Sequence, residues 1–327
     1  MSGAFDVPPT LGAQALRERA GDWLERKDRP DWSAQDQADL DAWLEADPAH
    51  LIAYWRVEGA WERSLRLRVM RPPVSGPSRP QRFKSENWLK RIAVPFAAVA
   101  VAGIAAVFFL SKPNERIITT GIGEHKIVSL GDGSRVELNT DTVLKVDVSS
   151  VRRLASIQKG EAYFQIAHDP EHPFVVSVGD HRITVLGTKF TVHREAGKLE
   201  VALLEGRIWL DENANERGSH GMLLTPGDKV VTQGTKLVKL EEPRDALQNE
   251  LGWRSGMLIF KYTTLKNAAA EFNRYNREKL VVADAATARL KIIGSFPTND
   301  VNMFVRASRQ LFGLRVEHRG NQIVLSH

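Results

Sequence analysis

Three different spacings of apolar residues succeed one another along the 327 residues of this chain. Up to about residue 61 they recur every three or four positions, as Leu16, Ala20, Trp23 and Leu24, then Leu40, Trp43 and Leu44, then Leu51, Tyr54, Trp55 and Trp61. This period predicts three short amphipathic helices. Ser33 and Asp36 form an S-x-x-D capping box ahead of the second helix. Asp47-Pro48, an N-cap followed by proline at the first helical position, opens the third. From Ile92 to Leu110 the run IAVPFAAVAVAGIAAVFFL carries no charge and no amide side chain. About 20 apolar residues cross a bilayer as a helix, so this run predicts a transmembrane span, with Pro95 in its first turn where a missing N–H costs least.

Between about Ile117 and Leu240 the period falls to two. Runs such as SRVELN, EAYFQIA, PFVVSV, KFTVHR and LEVALL alternate apolar with polar residues and are separated by turn residues, which predicts an all-β sandwich or roll. Gly131 to Ser134 reads as a hairpin turn. After Glu241-Glu242-Pro243 a short helical stretch leads to Trp253, and the pattern then becomes mixed. Phe260 precedes a helical stripe of Leu265, Ala268, Ala269, Phe272 and Tyr275, capped by Thr263 or Thr264, and the strand Leu280 to Val282 follows. A shift of 36 residues lays Phe260 on Phe296, Leu265 on Val301 and Leu280 on Val316, a weak strand-helix-strand duplication. The fold class expected is therefore multidomain: a small all-α head (1–70), a basic Pro-rich linker (71–91), one transmembrane helix (92–110), an all-β region (111–242) and a C-terminal α+β module (243–327).

Charge orients this layout. Residues 71–91 hold Arg71, Arg79, Arg82, Lys84, Lys90 and Arg91 against Glu86 alone, whereas 111–131 hold three bases against two acids. The excess of basic residues places the head in the cytoplasm and residues 111–327 across a bacterial inner membrane, in the periplasm. Within residues 1–47, eleven acids face five bases, a net of −6. An acidic head repels nucleic acid and suits a basic protein partner. That weighs against the alternative of a membrane-anchored transcription regulator whose head binds DNA directly, since a recognition helix should be basic.

The chain lacks cysteine, and its histidines are scattered. Thiolate metal sites, iron–sulfur clusters and cysteine nucleophiles are excluded. No G-x-S-x-G, P-loop or HExxH stands in the sequence, so a tethered hydrolase finds no support. His168 and His172, in HDPEHP, are spaced like metal ligands but flank prolines and lack a third ligand. No metal and no cofactor is expected. The head tryptophans Trp23, Trp43, Trp55 and Trp61, with Leu44, fill a minimal core or line a groove for a partner.

The runs GEHKIVSLGDGSRVELNT (123–140), KGEAYFQIAHDPEHPFVVSV (159–178), VLGTKFTVHRE (185–195), LEVALLEGRIWL (199–210) and LTPGDKV (224–230) resemble, in order and spacing, the periplasmic domain of the FecR family of transmembrane anti-sigma regulators. AWLEADPAHLIAYWR (42–56) resembles that family's cytoplasmic domain. The resemblance implies an extracytoplasmic-function sigma factor as partner of the head, with the aromatic residues above and Leu44 as its contacts. It further implies a periplasmic signal from a TonB-dependent outer-membrane receptor, and release by periplasmic and intramembrane proteases. The two-helix C-terminal unit resembles the short domain of secretins and TonB-dependent receptors, with strand addition at Gln322, Ile323, Val324 and Leu325 as the expected receptor contact. Several relatives cut themselves at a Gly-Thr pair. Gly187-Thr188 matches it, and there a threonine hydroxyl attacks the preceding carbonyl to give an ester that water opens.

Overall fold

A computed structural model describes residues 13–46, 49–58, 115–149, 152–212, 221–233 and 236–327. In the head, α1 (Ala13–Lys27) and α2 (Ala34–Ala46) are followed by α3, helical over 49–58. The predicted capping box forms in both directions. Ser33 Oγ accepts from the Asp36 N–H at 3.1 Å, and Asp36 Oδ2 accepts from the Ser33 N–H at 3.0 Å. These hydrogen bonds hold the Asp36 carboxyl below the usual carboxylate range, and Arg26 pairs with it from α1. Ala20, Trp23, Leu24, Leu40, Leu44, Leu51 and Tyr54 turn inward at the spacing read from the sequence.

The large part of the chain is a curled sheet of thirteen strands. In chain order these are β1 (Glu115–Thr119), β2 (Lys126–Ser129), β3 (Arg135–Leu138), β4 (Val143–Val148), β5 (Arg153–Gln165), β6 (Phe174–Val178) and β7 (His181–Val185). Then come β8 (Lys189–Glu195), β9 (Lys198–Glu205), β10 (Ile208–Asp211), β11 (Gly221–Leu224), β12 (Asp228–Gln233) and β13 (Lys236–Glu241). The main path runs β11-β10-β7-β6-β5-β8-β9-β12-β13. Its curl originates in β5. The first half of this strand pairs with β4 and β6, the second half with β3 and β8. Between the halves Gly160 adopts φ +88°, and a Cβ there would overlap Thr142, so only glycine fits this bend. The sheet wraps around one apolar core that includes Val136, Leu144, Ile157, Phe164, Phe174, Phe190 and Val201. Phe164 and Phe190 stack at 5.0 Å.

A short helix, α4 (Arg244–Glu250), and a 3-10 turn (Leu251–Ser255) lead into the C-terminal segment. There β14 (Met257–Thr264), α5 (Leu265–Tyr275) and β15 (Lys279–Val282) are followed by α6 (Ala285–Arg289). A second strand-helix-strand set then runs β16 (Lys291–Pro297), α7 (Val301–Phe312) and β17 (Arg315–Arg319), and β18 (Gln322–Ser326) closes the chain. β14 pairs with β16, while β18 lies between β15 and β17. The residues related by the 36-residue shift thus occupy matching elements. Phe260 and Phe296 stand on the paired strands, and with Phe272 and Phe304 they form an aromatic cluster with centroid separations of 4.6 to 6.3 Å. Thr264 caps α5 by accepting from the Asn267 N–H at 3.3 Å.

Two parts of the expected fold class are corrected. No helix among the described residues is long and apolar enough to cross a membrane, and the run expected to do so, 92–110, lies outside them, as does the linker. Nor is the C-terminal segment a module apart, like the short domain of secretins and receptors. It is fused to the curled sheet. Tyr163 of β5 belongs to its core, and Leu204 of β9 packs against it. The reason is physical: residues of β5 that alternation would turn to water are covered by this segment, and their charges find partners in it.

Candidate functional site

The Gly187-Thr188 pair occupies the three-residue passage from β7 to β8, where the chain crosses from one half of the curled sheet to the other. Backbone hydrogen bonds pin it against the segment that follows β5. The Asp169 N–H donates to Leu186 O at 2.7 Å and the Ile166 N–H donates to Thr188 O at 3.0 Å. Gly187 sits between these anchors. A Cβ at Gly187 would stand 2.6 Å from His168 Nδ1 and 2.7 Å from His168 Cα, so the exposed His168 covers that flank at a distance no side chain tolerates. The other flank is closed by the turn between β9 and β10. Gly206, at φ +89°, lies so near that a Cβ would stand 2.7 Å from Gly187 O and 2.9 Å from Thr188 Oγ1. Thr188 is buried, and its hydroxyl donates to Arg207 O at 3.0 Å. The peptide bond is therefore threaded between two close neighbours, with the Thr188 hydroxyl held by the Arg207 carbonyl.

A second constellation was invisible in the sequence. Glu161 and Arg274 pair at 2.6 Å beneath the C-terminal segment, and Arg274 also holds Glu271 at 2.7 Å. Asn139 Nδ2 donates to Glu161 Oε2 at 2.9 Å and lies 2.7 Å from Tyr275 Oη. Arg254 forks onto Glu137 at 2.9 and 2.6 Å and lies 3.8 Å over the Tyr163 ring. Burial pushes Glu161 up, but the charges of Arg274 and His193 together with the hydrogen bonds from Arg274 and Asn139 outweigh it and hold the carboxyl below its ordinary range. For Glu271 burial wins and the carboxyl is raised. His193, on β8, is lowered by burial and by the Arg274 charge. This network borders a cavity of about 440 Å³ lined in part by Glu161, His193, Glu200, Lys229 and Trp253. Lys229 bridges Glu200 and Glu250 across it at 2.8 and 2.6 Å. With its charges paired internally, the arrangement serves as a polar seam between sheet and C-terminal segment.

The remaining sequence-predicted residues are dispersed. In the head Trp23, Leu44 and Trp55 are buried, Trp43 is half-buried and stacks on His50 at 4.6 Å, and Trp61 lies outside the described residues. The acids Glu18, Asp22, Glu25, Asp28 and Asp39 are exposed. Ile323 and Leu325 are buried, and β18, which carries Gln322 to Leu325, has both edges paired. The outer edge beside it belongs to β17, whose residues are almost all exposed. Among the described residues no group of three or more His, Asp or Glu side chains is placed to hold a metal ion.

Residues 116–209 match the family described as FecR protein, and residues 18–60 match a domain of unknown function, DUF4880. The chain therefore carries a FecR domain, with a DUF4880 domain ahead of it. Neither match reaches past residue 209. Among solved structures it is similar to a candidate anti-sigma factor from Parabacteroides distasonis ATCC 8503, determined at 2.50 Å and at 1.65 Å. Identity is 26% and the TM-score 0.53 in both comparisons, covering 65% and 64% of this chain and 98% of that one. No curated protein matches the chain at a significant level.

Proposed function

We propose that the chain is an anti-sigma regulator of cell-surface signalling, whose acidic head binds an extracytoplasmic-function sigma factor. The observation that carries this is the union in one chain of a FecR domain with a small helical head whose exposed face is acidic. Such a face complements a basic, nucleic-acid-binding partner. Trp43, half-buried beside Trp23 at 6.3 Å, is the head aromatic best placed to contact it. The protein works at the bacterial inner membrane with the head in the cytoplasm, a reading supported by the basic excess on the N-terminal side of 92–110. A TonB-dependent outer-membrane receptor supplies the periplasmic signal, and the unpaired edge of β17 is the surface for strand addition. Self-cleavage at Gly187-Thr188, followed by periplasmic and intramembrane proteases, releases the head with its sigma factor.

The test is crosslinking of the full-length tagged chain in its own bacterium, with bound proteins identified by mass spectrometry and a DNA-shift assay on the purified chain. Recovery of a small sigma factor without a DNA shift is expected. A DNA shift without a sigma factor overturns the reading in favour of a DNA-binding regulator.

A further inference from the structure

We propose that His168 is the base that activates water to open the ester at Gly187-Thr188. The inference rests on the self-cleavage reading above and assigns a residue to its second step. The two flanks of the peptide bond are chemically unequal. On one side lie Gly206 and the Arg207 carbonyl, which accepts from the Thr188 hydroxyl and carries no group that takes up a proton reversibly near neutrality. On the other side lies an imidazole, exposed to solvent and pressed against the α-carbon of the acyl residue itself. Imidazole is the side chain whose protonation changes most readily in the physiological range. Its place is built by the backbone. The bonds from Ile166 N and Asp169 N bracket residue 168 and hold it opposite residue 187, which is glycine, so nothing intervenes.

The chemistry divides accordingly. In the first step Thr188 Oγ1 bonds to the Gly187 carbonyl carbon, the C–N bond breaks, and the hydroxyl proton passes to the Thr188 nitrogen, leaving an ester and an amine. This step is internal and needs no solvent. In the second, a water on the His168 flank gives a proton to the imidazole as its oxygen bonds to the Gly187 carbon. The bond to Thr188 Oγ1 then breaks, and the imidazolium returns the proton to that oxygen. The products are a Gly187 carboxylate and a Thr188 hydroxyl, and the proton of the new acid passes to solvent.

The experiment follows full-length protein on denaturing gels and by mass spectrometry, with and without hydroxylamine, which attacks an ester without a general base. Wild type is expected to give fragments 1–187 and 188–327, and Thr188→Ala to stay intact. His168→Gln should cleave about 100-fold more slowly in buffer, the loss expected for removing one general base. Hydroxylamine should restore its cleavage and leave a hydroxamate on Gly187. A His168→Gln chain that cuts at the wild-type rate overturns the assignment while self-cleavage stands. So does a folded His168→Gln chain, with wild-type melting, that hydroxylamine does not rescue, since His168 would then serve the acyl shift or packing alone. A wild-type chain that stays intact with and without hydroxylamine overturns both.

Discussion

Strand β5 borders two interiors of opposite chemistry. Its side chains Ala162 and Phe164 point into the apolar core of the curled sheet, while Glu161 and Tyr163, their neighbours in sequence, point into the seam with the C-terminal segment. All four are buried. The first interior is held by area removed from water, which is non-directional and insensitive to pH. The second is held by paired charges, whose contribution depends on every partner being present and on protonation state. A core of the first kind gives a fold its stability. The second kind makes one particular docking geometry conditional on its charged partners.

The sharpest way to break this contrast is to remove Arg274. Arg274→Met leaves Glu161 buried without its cation and should cost about 3–5 kcal/mol, read as a fall in melting temperature. Adding Glu161→Gln should recover part of that loss. If single and double variants melt alike, the seam is not an ion-pair lock. On the other face of β5, Phe164→Ala removes one ring of the stacked pair. A loss of about 3–5 kcal/mol is expected, the same at pH 7.5 and pH 6. A loss that varied with pH would mean that the two interiors are coupled through the strand.

Next in size is the bend that lets one strand serve both. Gly160→Ala forces a side chain into left-handed backbone against Thr142, and the left-handed conformation alone costs roughly 1–2 kcal/mol. Chemical denaturation of Gly160→Ala beside Gly197→Ala, where φ is +79° and no atom crowds the added Cβ, isolates the crowding. Equal losses would show that the approach of Thr142 is unimportant.

The smallest effect is on pH. His193 is lowered in the folded protein by burial and by Arg274, so unfolded chains bind its proton first. The stability it contributes is complete above the ordinary imidazole value, about 6.5, and is lost as pH falls below it. Glu161, also lowered, adds a second loss below about 4.3, the ordinary glutamate value. Glu271 is raised and opposes that loss, because its folded form takes up a proton earlier than its unfolded form. Glu195 and Glu200 also face His193 and temper its shift. Melting curves from pH 8 to pH 5 should therefore decline below about 6.5, and His193→Gln should flatten that limb. An unchanged limb in the variant would assign the decline elsewhere.

Much of this was legible in the residues. Alternation in EAYFQIA and KFTVHR is a local property of a strand with one apolar face, and the structure places strands there. The capping box at Ser33 and Asp36 is local too, and the 36-residue repeat is legible because each of its copies is a local strand-helix-strand pattern. The Gly187-Thr188 pair was visible as a pair. His168 was visible only as half of an unconvincing metal motif, since its approach to Gly187 joins residues on two separate segments. Gln322 to Leu325 was expected as an edge from the family resemblance, and β15 pairs with it from about forty residues away, beyond the reach of any local pattern.

Sequence alone determined many of the described strands and helices, the caps at Ser33 and Thr264 and the core-facing side of these elements, because hydrophobic period and hydrogen-bonding side chains act over a few residues. The expected cap at Asp47-Pro48 lies outside the described residues. Tertiary structure alone decided that Glu161 is buried rather than solvated, that Gly206 and His168 close on one peptide bond, and that the C-terminal segment is seamed to the sheet. These depend on which distant surfaces meet, and a polar residue at an outward position is the same letter whether water or Arg274 covers it.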